Sequence, residues 1–239
     1  MKFLVFQHVP HEHPGMLGDA AKTWGVDLTV IELWKPYIMP VADEFDALVI
    51  MGGPMGVYEG KEQYSSKDDE LAFIKENLGK MSVIGFCLGG QLLAHALGSR
   101  VYPNLTDGKR QKEVGYHTVE LTAEGAADPL FKGFSSPIKV LQWHGDAFDL
   151  PKDATLLAFS SACPNQAFRW GTNVYGMLFH NEFTPEMINM QLSIDKEWIH
   201  KDYEIDERAL RDEARANAPL MREQCNRLFG NFCETAARH

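Results

Sequence analysis

The chain has 239 residues, of which 45% are hydrophobic and 23% charged, and its formal net charge is −10. This composition is that of a globular protein and excludes both a disordered chain and a small disulfide-stapled scaffold. Nucleic acids and anionic membranes are unfavourable partners for so acidic a chain, because binding them needs clustered Lys and Arg. We therefore expect small molecules or proteins as partners.

The N-terminal segment is expected to carry no targeting signal. Its apolar run, Phe3-Leu4-Val5-Phe6, meets His8 and Pro10 at once and lacks the h-region of a signal peptide. No stretch approaches the ~20 apolar residues that cross a bilayer. The expected location is the cytoplasm, where thiols stay reduced. Four cysteines are accordingly expected to be free and lack zinc-type spacing: Cys87, Cys163, Cys225 and Cys233.

The first half of the chain alternates strands with an amphipathic helix. The helix is predicted over Ser65 to Lys80, where Leu71, Ile74 and Leu78 recur at helical spacing. The strands are predicted at Lys2 to Gln7, Asp27 to Leu33, Asp46 to Met51 and Ser82 to Phe86. This alternation predicts an α/β fold with a doubly wound parallel sheet, whose third and fourth strands are buried on both faces.

Two loops after these strands hold candidate site residues. His8, His11 and His13 form a histidine cluster after the first strand, but it lacks an acidic or cysteine third ligand, so no metal site is predicted. Gly52-Gly53-Pro54 follows the third strand at the carboxyl edge of the sheet, where ligands bind in such folds. Gly53 could turn its N–H toward a reacting carbonyl, although an isolated glycine pair is also an ordinary turn.

The most informative segment begins with the strand Ser82 to Phe86. Cys87 follows, flanked by Gly85 and Gly89 in the pattern G-x-C-x-G, and Leu88 to Leu97 has helical periodicity. This is the thiol form of a nucleophile elbow, in which a strained turn holds the nucleophile above the sheet edge. The helix N-terminus would stabilise a thiolate, and the N–H of Leu88 would face a developing oxyanion. The alternative is a small buried cysteine in a tight turn.

The second half contains close-spaced strands, several of which are expected to be antiparallel additions to the sheet. They are predicted at Glu113 to Leu121, Ile138 to Trp143, Thr155 to Ser160, Gln166 to Trp170 and Asn173 to Phe179.

His180 ends the last of these strands and is the best-placed partner for Cys87. Residues i and i+2 of an extended chain share a side, so Glu182 could orient the His180 ring. Thr184-Pro185-Glu186 instead has the pattern of a helix N-terminus, which favours Glu182 over Glu186 as the acceptor. The predicted triad is Cys87, His180 and Glu182.

Helices are predicted after the triad, over Pro185 to about Ile199 and Asp206 to about Phe232, with Pro219 kinking or splitting the second. We expect one domain over residues 1–200 and a helical extension, residues 201–239, packed on it. From Glu204 onward, a set of apolar residues could form a partner or dimer surface, or could cover the domain's own sheet: Leu210, Leu220, Leu228 and Phe229.

The segments GGPMG, GFCLGGQ and FHNE, in this order, closely resemble the class I (triad) glutamine amidotransferases, in particular the GMP synthase glutaminase domain and its stand-alone relatives. The resemblance covers about Phe3 to Glu186 and implies a flavodoxin-like fold, no cofactor, and hydrolysis of glutamine through a γ-glutamyl thioester. It implies the triad above, with oxyanion donors at Gly53 and Leu88.

The resemblance also implies substrate contacts. Gln91, in the first turns of the elbow helix, matches the position that holds the glutamine side chain. The stretch Gln142 to Asp146 resembles, more loosely, the segment that grips the α-amino and α-carboxylate groups, so Trp143, Gly145 and Asp146 are candidate binding residues.

Two departures from the family pattern stand out. Asn181 replaces the proline of the usual His-Pro-Glu, which changes loop stiffness but keeps the i, i+2 relation. A phosphate-binding loop is missing from the sequence, so we expect either a separate synthetase subunit that accepts ammonia or a free-standing hydrolase. The alternatives are a γ-glutamyl peptidase, with Trp143 to Phe148 lining a wider pocket, and a non-catalytic regulatory relative.

Overall fold

A computed structural model of the protein describes residues 1–106, 108–201 and 203–237. The helices in chain order are α1 (Met16–Trp24), α2 (Lys67–Asn77), α3 (Leu88–Ala96), α4 (Ala123–Ala127), α5 (Pro185–Ile194), α6 (Lys196–His200) and α7 (Glu207–Ala236). The strands are β1 (Lys2–Gln7), β2 (Asp27–Glu32), β3 (Ala47–Ile50), β4 (Ser82–Phe86), β5 (Val101–Pro103), β6 (Leu105–Thr106), β7 (Lys109–Arg110), β8 (Glu113–Leu121), β9 (Ile138–His144), β10 (Asp146–Phe148), β11 (Ala154–Phe159), β12 (Ala167–Trp170) and β13 (Val174–Met177).

Nine strands form the main sheet, in the order β2-β1-β3-β4-β13-β12-β11-β8-β9. The pairs from β2 to β13 are parallel, and the pairs from β13 to β9 are antiparallel. The predicted α/β architecture, a doubly wound parallel core with antiparallel additions and C-terminal helices, is therefore confirmed. Two small sheets, β5 with β10 and β6 with β7, were not predicted, because strands of two or three residues show no periodicity.

The side chains of β1 point alternately to the two faces of the sheet, and helices cover both faces. Phe3 and Val5 enter the core formed with α1 and α7, whereas Leu4 and Phe6 enter the core formed with α2 and α3. Successive side chains of a strand point to opposite faces, so a strand buried on both faces must be apolar throughout. The carboxyl ends of the parallel strands lie together at one edge of the sheet, which is where ligands bind in such folds.

The C-terminal helices differ from the prediction in two ways. The helix expected over Pro185 to about Ile199 is interrupted at Asp195, which separates α5 from α6. Of the two outcomes predicted at Pro219, the split is wrong, because α7 runs as one helix of 30 residues through it, and the kink stays a prediction. Met221 and Cys225, which follow the proline, are buried, and this packing offsets the hydrogen bond that Pro219 cannot make.

Helix α7 packs against α1 and α5. Leu210, Leu228 and Phe229 are buried within the chain, which overturns the suggestion that they form a free partner surface; Leu220 is 39% exposed. The boundary at residue 200 stays a prediction, and residues 202, 238 and 239 of the extension lie outside the described residues. Within the described ranges, no helix has both the length and the apolar character needed to span a bilayer.

Candidate active site

Three neighbouring strands bring the predicted site residues to one edge of the sheet. Strands β3, β4 and β13 are adjacent and parallel, so their carboxyl ends lie together. Gly52 and Gly53 follow β3, Cys87 follows β4, and His180 follows β13. The backbone of His180 is also fixed, because its N–H donates to the carbonyl of Leu141 at 2.8 Å and its carbonyl accepts from Leu141 N–H at 3.1 Å.

Cys87 occupies a strained turn between β4 and α3. Its φ is +49° and its ψ −108°, a region that residues other than glycine rarely adopt. A Cβ on Gly85 would lie 2.4 Å from the backbone of Gly89, and one on Gly89 would lie 2.3 Å from the carbonyl oxygen of Ile50. The crowding explains why small residues must flank the cysteine, and it is the geometry of a nucleophile elbow.

His180 links the thiol of Cys87 to the carboxylate of Glu182. His180 Nδ1 lies 2.6 Å from Glu182 Oε1, and the ring is hydrogen-bonded to the Cys87 side chain. All three residues are buried, with exposed fractions of 6% or less. The structure thus brings the three predicted catalytic residues into a single hydrogen-bonded series.

The charges in this series depend on one another. Burial lowers the pKa of His180, but the charge of Glu182 and the hydrogen bonds to Cys87 and Glu182 outweigh that effect and hold the pKa well above its ordinary value. Burial raises the pKa of Cys87 above its ordinary value, and the hydrogen bond and charge of His180, with the N–H of Leu88, offset that rise only in part. A thiolate on Cys87 therefore depends on a charged His180 as its partner.

The contacts of Asn181 and the exposed position of Glu186 explain why Glu182, and not Glu186, is the carboxylate that faces His180. The N–H of Asn181 donates to Glu182 Oε2 at 3.0 Å, and the Asn181 side chain donates to Gln224 on α7 at 3.0 Å. Glu186 is exposed in the first turn of α5, where its own N–H and the Thr184 hydroxyl lower its pKa. The Thr184 side chain caps this helix, as predicted.

One of the two predicted oxyanion donors, Leu88, is next to Cys87 in the chain, and the other, Gly53, lines the same cleft as Cys87. Leu88 is the first residue of α3, and its N–H is hydrogen-bonded to the Cys87 side chain. A Cβ on Gly53 would lie 2.8 Å from the Leu88 side chain, and one on Gly52 would lie 2.2 Å from a carboxylate oxygen of Glu12. Any larger residue at these two positions would require the Leu88 or Glu12 side chain to shift.

The predicted substrate residues line the cleft in front of Cys87: Gln91, Trp143, Gly145 and Asp146. The carbonyl of Trp143 lies 3.8 Å from the Cys87 sulfur. The Asp146 carboxylate is already paired with Arg110, which also lines the cleft. Phe148 is instead fully buried against Phe168, so only the first part of the stretch from Trp143 to Phe148 reaches the cleft.

Sequence reasoning missed an acidic wall of the cleft, formed by Glu12, Gln191 and Asp195. Gln191 Nε2 donates to Asp195 Oδ2 at 2.7 Å and lies 3.5 Å from Glu12 Oε1. Asp195 Oδ2 also accepts from Trp143 Nε1 at 2.9 Å. The spacing of Gln191 and Asp195, four residues apart on a helix, was a usable indication that they share a face.

Glu12 is a buried carboxyl beside the triad. Burial raises its pKa to about 7, although the positive charges of His180 and His8 oppose the rise and the negative charge of Asp195 adds to it. The sequence places Glu12 between His11 and His13, in the loop after β1 and therefore at the edge of the sheet. Nothing else in the sequence indicated that this glutamate would line the cleft.

The three clustered histidines have separate surroundings. His8 is buried and contacts Gly52 and Glu70. His11 has a buried Nε2 that finds no hydrogen-bond partner among the described residues, and His13 accepts a hydrogen bond from Gly15 N–H. Within the described part of the chain, no group of three or more His, Cys, Asp or Glu side chains is arranged to hold a metal ion.

Comparison with known proteins gives consistent results. A family model described as glutamine amidotransferase class-I matches residues 16–197. The glutamine amidotransferase-like protein YfeJ of Salmonella typhimurium is 38% identical over 152 residues, which are 62% of each chain. One of the subunits of the glutamine-hydrolysing GMP synthase of Saccharolobus solfataricus is 31% identical over 163 residues, 67% of this chain and 79% of that one.

Solved structures extend the likeness to nearly the whole chain. A glutamine amidotransferase from Thermotoga maritima is 30% identical, with a TM-score of 0.87 over 98% of both chains. One from Methylobacillus flagellatus has the same TM-score at 22% identity, which supports the fold alone. The match to YfeJ spans less than two thirds of that relative's length.

Proposed function

The chain belongs to the class I glutamine amidotransferase family, and from that premise we propose that it hydrolyses the side-chain amide of glutamine through a thioester on Cys87. The observation that carries the proposal is the buried, hydrogen-bonded series of Cys87, His180 and Glu182 beside the cleft. A nucleophile, a base and a group that orients the base are the parts that acyl transfer requires.

The first half-reaction forms the thioester. The Cys87 sulfur attacks the amide carbon, and the carbonyl oxygen becomes an oxyanion that accepts hydrogen bonds from the N–H groups of Gly53 and Leu88. His180 then donates a proton to the amide nitrogen. The C–N bond breaks, ammonia leaves, and a γ-glutamyl thioester remains on Cys87.

The second half-reaction returns the enzyme to its starting state. A water molecule gives a proton to the now neutral His180 and attacks the thioester carbon through a second oxyanion held by the same two N–H groups. The C–S bond breaks, glutamate leaves, and the Cys87 thiolate is restored beside a charged His180. Glu182 stabilises that imidazolium and fixes the ring orientation in both halves.

Binding of the substrate is assigned to the cleft. Gln91 holds the reacting amide, and the segment from Trp143 to Asp146 contacts the amino and carboxylate groups at the other end. A zwitterion needs complementary polar groups at both charges, and the cleft carries Arg110 as well as the acidic wall of Glu12 and Asp195.

We also propose that the ammonia is delivered to a separate synthetase subunit. Support comes from the Saccharolobus relative, which is named as one part of a glutamine-hydrolysing GMP synthase. Coupling of this kind would raise the hydrolysis rate when the partner docks.

The test combines turnover with labelling of the nucleophile. Pure protein is incubated with glutamine, with γ-glutamyl dipeptides, and with a chloroketone analogue of glutamine. Release of ammonia and a single label on Cys87, both lost in Cys87→Ala and kept in Cys233→Ala, are expected. No turnover and no label would contradict the proposal, whereas much faster turnover of the dipeptides would identify a γ-glutamyl peptidase.

A further inference from the structure

His8 lies between two hydrogen-bond acceptors. Its Nδ1 is 2.9 Å from the carbonyl oxygen of Gly52, and its Nε2 is 2.8 Å from Glu70 Oε2. A carbonyl and a carboxylate can only accept, so the ring satisfies both when each nitrogen carries a proton. An imidazolium at His8, outside the triad, satisfies both contacts, and the neighbouring charge of Glu70 raises the pKa of His8 above its ordinary value.

Glu70 is held as the counter-ion of that imidazolium. Besides His8, its carboxylate accepts from Ser66 Oγ at 2.7 Å and from Tyr64 Oη at 3.2 Å. It belongs to the first turns of α2, whose N-terminus favours negative charge. The side chains of His8 and Glu70 are both fully buried, so neither charge is compensated by solvent.

The carbonyl that His8 binds belongs to the peptide unit of a predicted oxyanion donor. The C=O of Gly52 and the N–H of Gly53 share one planar trans peptide, in which they point in opposite directions. With the C=O directed at His8, the N–H is directed away from it, and Gly53 lines the cleft with Cys87. If this peptide turned over, a carbonyl would replace the donor and repel an oxyanion.

The two glycines that form this peptide do not fix its orientation themselves. Gly52 and Gly53 have the widest range of backbone angles of any residue type, so a peptide between them turns over readily. A Cβ at either position would crowd the side chain of Glu12, Leu88 or His8, so glycine is the residue that fits without a shift of these neighbours. The hydrogen bond from His8 is a contact that can set the orientation of this peptide.

We propose that His8, supported by Glu70, is a positioning residue that orients the Gly52–Gly53 peptide so that its N–H completes the oxyanion hole. This inference rests on the proposed function, which it deepens by naming what holds one of the two oxyanion donors. Neither His8 nor Glu70 contacts the substrate in this scheme.

Two substitutions separate the two contacts of the ring. His8→Asn carries an amide nitrogen near the position of Nδ1 and keeps a donor for Gly52, whereas His8→Gln carries one near Nε2 and reaches Glu70 instead. Loss of one oxyanion donor lowers kcat by about 10²–10³-fold. We therefore expect the kcat of His8→Gln to fall by that factor, with little change in its KM. His8→Asn should recover most of that loss, and the exposed His117→Gln should match the wild type.

A second measurement excludes a merely structural effect. Alkylation of Cys87 by iodoacetamide needs the thiolate but forms no oxyanion, so its rate in His8→Gln should match that of the wild type. A parallel fall in alkylation and hydrolysis would show that His8 acts on the thiol or on folding, and would overturn the inference. Equal hydrolysis by His8→Gln and the wild type would also overturn it.

Nitrogen NMR decides the inference even if the wild type hydrolyses no amide, a result that would count against the proposed function alone. In wild-type protein at neutral pH, both ring nitrogens of His8 should be protonated. The Gly53 amide resonance should shift strongly in His8→Gln and little in His8→Asn. A neutral His8, or a Gly53 resonance that is the same in all three proteins, would overturn the inference.

Discussion

Nδ1 of His180 and Oε1 of Glu182 lie 2.6 Å apart, although only one residue separates them in the chain. Both side chains are shielded from solvent, with exposed fractions of 1% and 0%. A charge-assisted hydrogen bond in such surroundings fixes the ring orientation and stabilises the imidazolium. The same carboxylate accepts the Asn181 N–H, so its own position is also fixed.

The first prediction concerns Glu182→Gln. The amide keeps the shape of the side chain but removes the charge that holds the pKa of His180 high. We expect kcat to fall by about two to four orders of magnitude, as in triads that lose the carboxylate. The alkaline limb of the pH–rate profile, along which the charged His180 loses its proton, should also move to lower pH. Glu186→Gln, at the exposed neighbour, is the matched control, and an equal effect of both substitutions would contradict the assignment.

The second prediction concerns the residue between His180 and Glu182. Asn181→Pro restores the usual family residue but removes the N–H that donates to Glu182 Oε2. Hydrogen bonds to charged groups contribute about 1.5–3 kcal/mol, so Asn181→Pro should lower the free energy of unfolding by that amount relative to Asn181→Ala. The alanine variant keeps the N–H and loses only the contact with Gln224. Urea unfolding measures the free energy of unfolding of both variants, and equal values for Asn181→Pro and Asn181→Ala would contradict the prediction.

How the site residues could be found from the sequence depends on where they lie. Cys87, His180 and Glu182 were identifiable because each follows a strand, and parallel strands bring their carboxyl ends together. Asp195 and Glu12 were not, because their place in the cleft depends on how α5 and the loop after β1 pack on the sheet. No local pattern specifies such packing.

The helix boundaries make the same point. Propensity predicts a helix through Asp195 and a kink or a split at Pro219, whereas in the structure α5 ends before Asp195 and α7 continues through Pro219. The Asp195 carboxylate accepts from Trp143, a long-range contact, and from Gln191, a local one, and both contacts favour the end of α5 there. Burial of the apolar face of α7 outweighs the cost of the proline.

The third prediction concerns the pH dependence of stability. Glu12 has a pKa of about 7 in the folded protein, against an ordinary value of 4.5, because it is buried. Between these two values the folded state binds more protons than the unfolded chain, so stability falls as pH rises. Glu12→Gln cannot ionise, and its stability relative to the wild type should grow by about 2–3 kcal/mol from about pH 4 to about pH 8.

Thermal or urea unfolding at a series of pH values measures this difference for Glu12→Gln. Glu62→Gln, on the exposed loop before α2, is the control and should keep a constant offset from the wild type. A constant offset for Glu12→Gln as well would mean that Glu12 is ionised in the folded protein throughout the range.

The fourth prediction concerns Asp195, which accepts hydrogen bonds from Trp143 Nε1 at 2.9 Å and from Gln191 Nε2 at 2.7 Å. Asp195→Ala leaves both donors, which line the cleft, without this acceptor and frees the segment assigned to substrate binding. The triad is untouched, so KM for glutamine should rise about tenfold, equivalent to ~1.4 kcal/mol, while kcat changes little. Asp206→Ala removes the N-cap of α7, which does not line the cleft, and controls for a general loss of about 1 kcal/mol of stability. If KM rose equally in both variants, or if Asp195→Ala lowered kcat alone, Asp195 would not act through the binding segment.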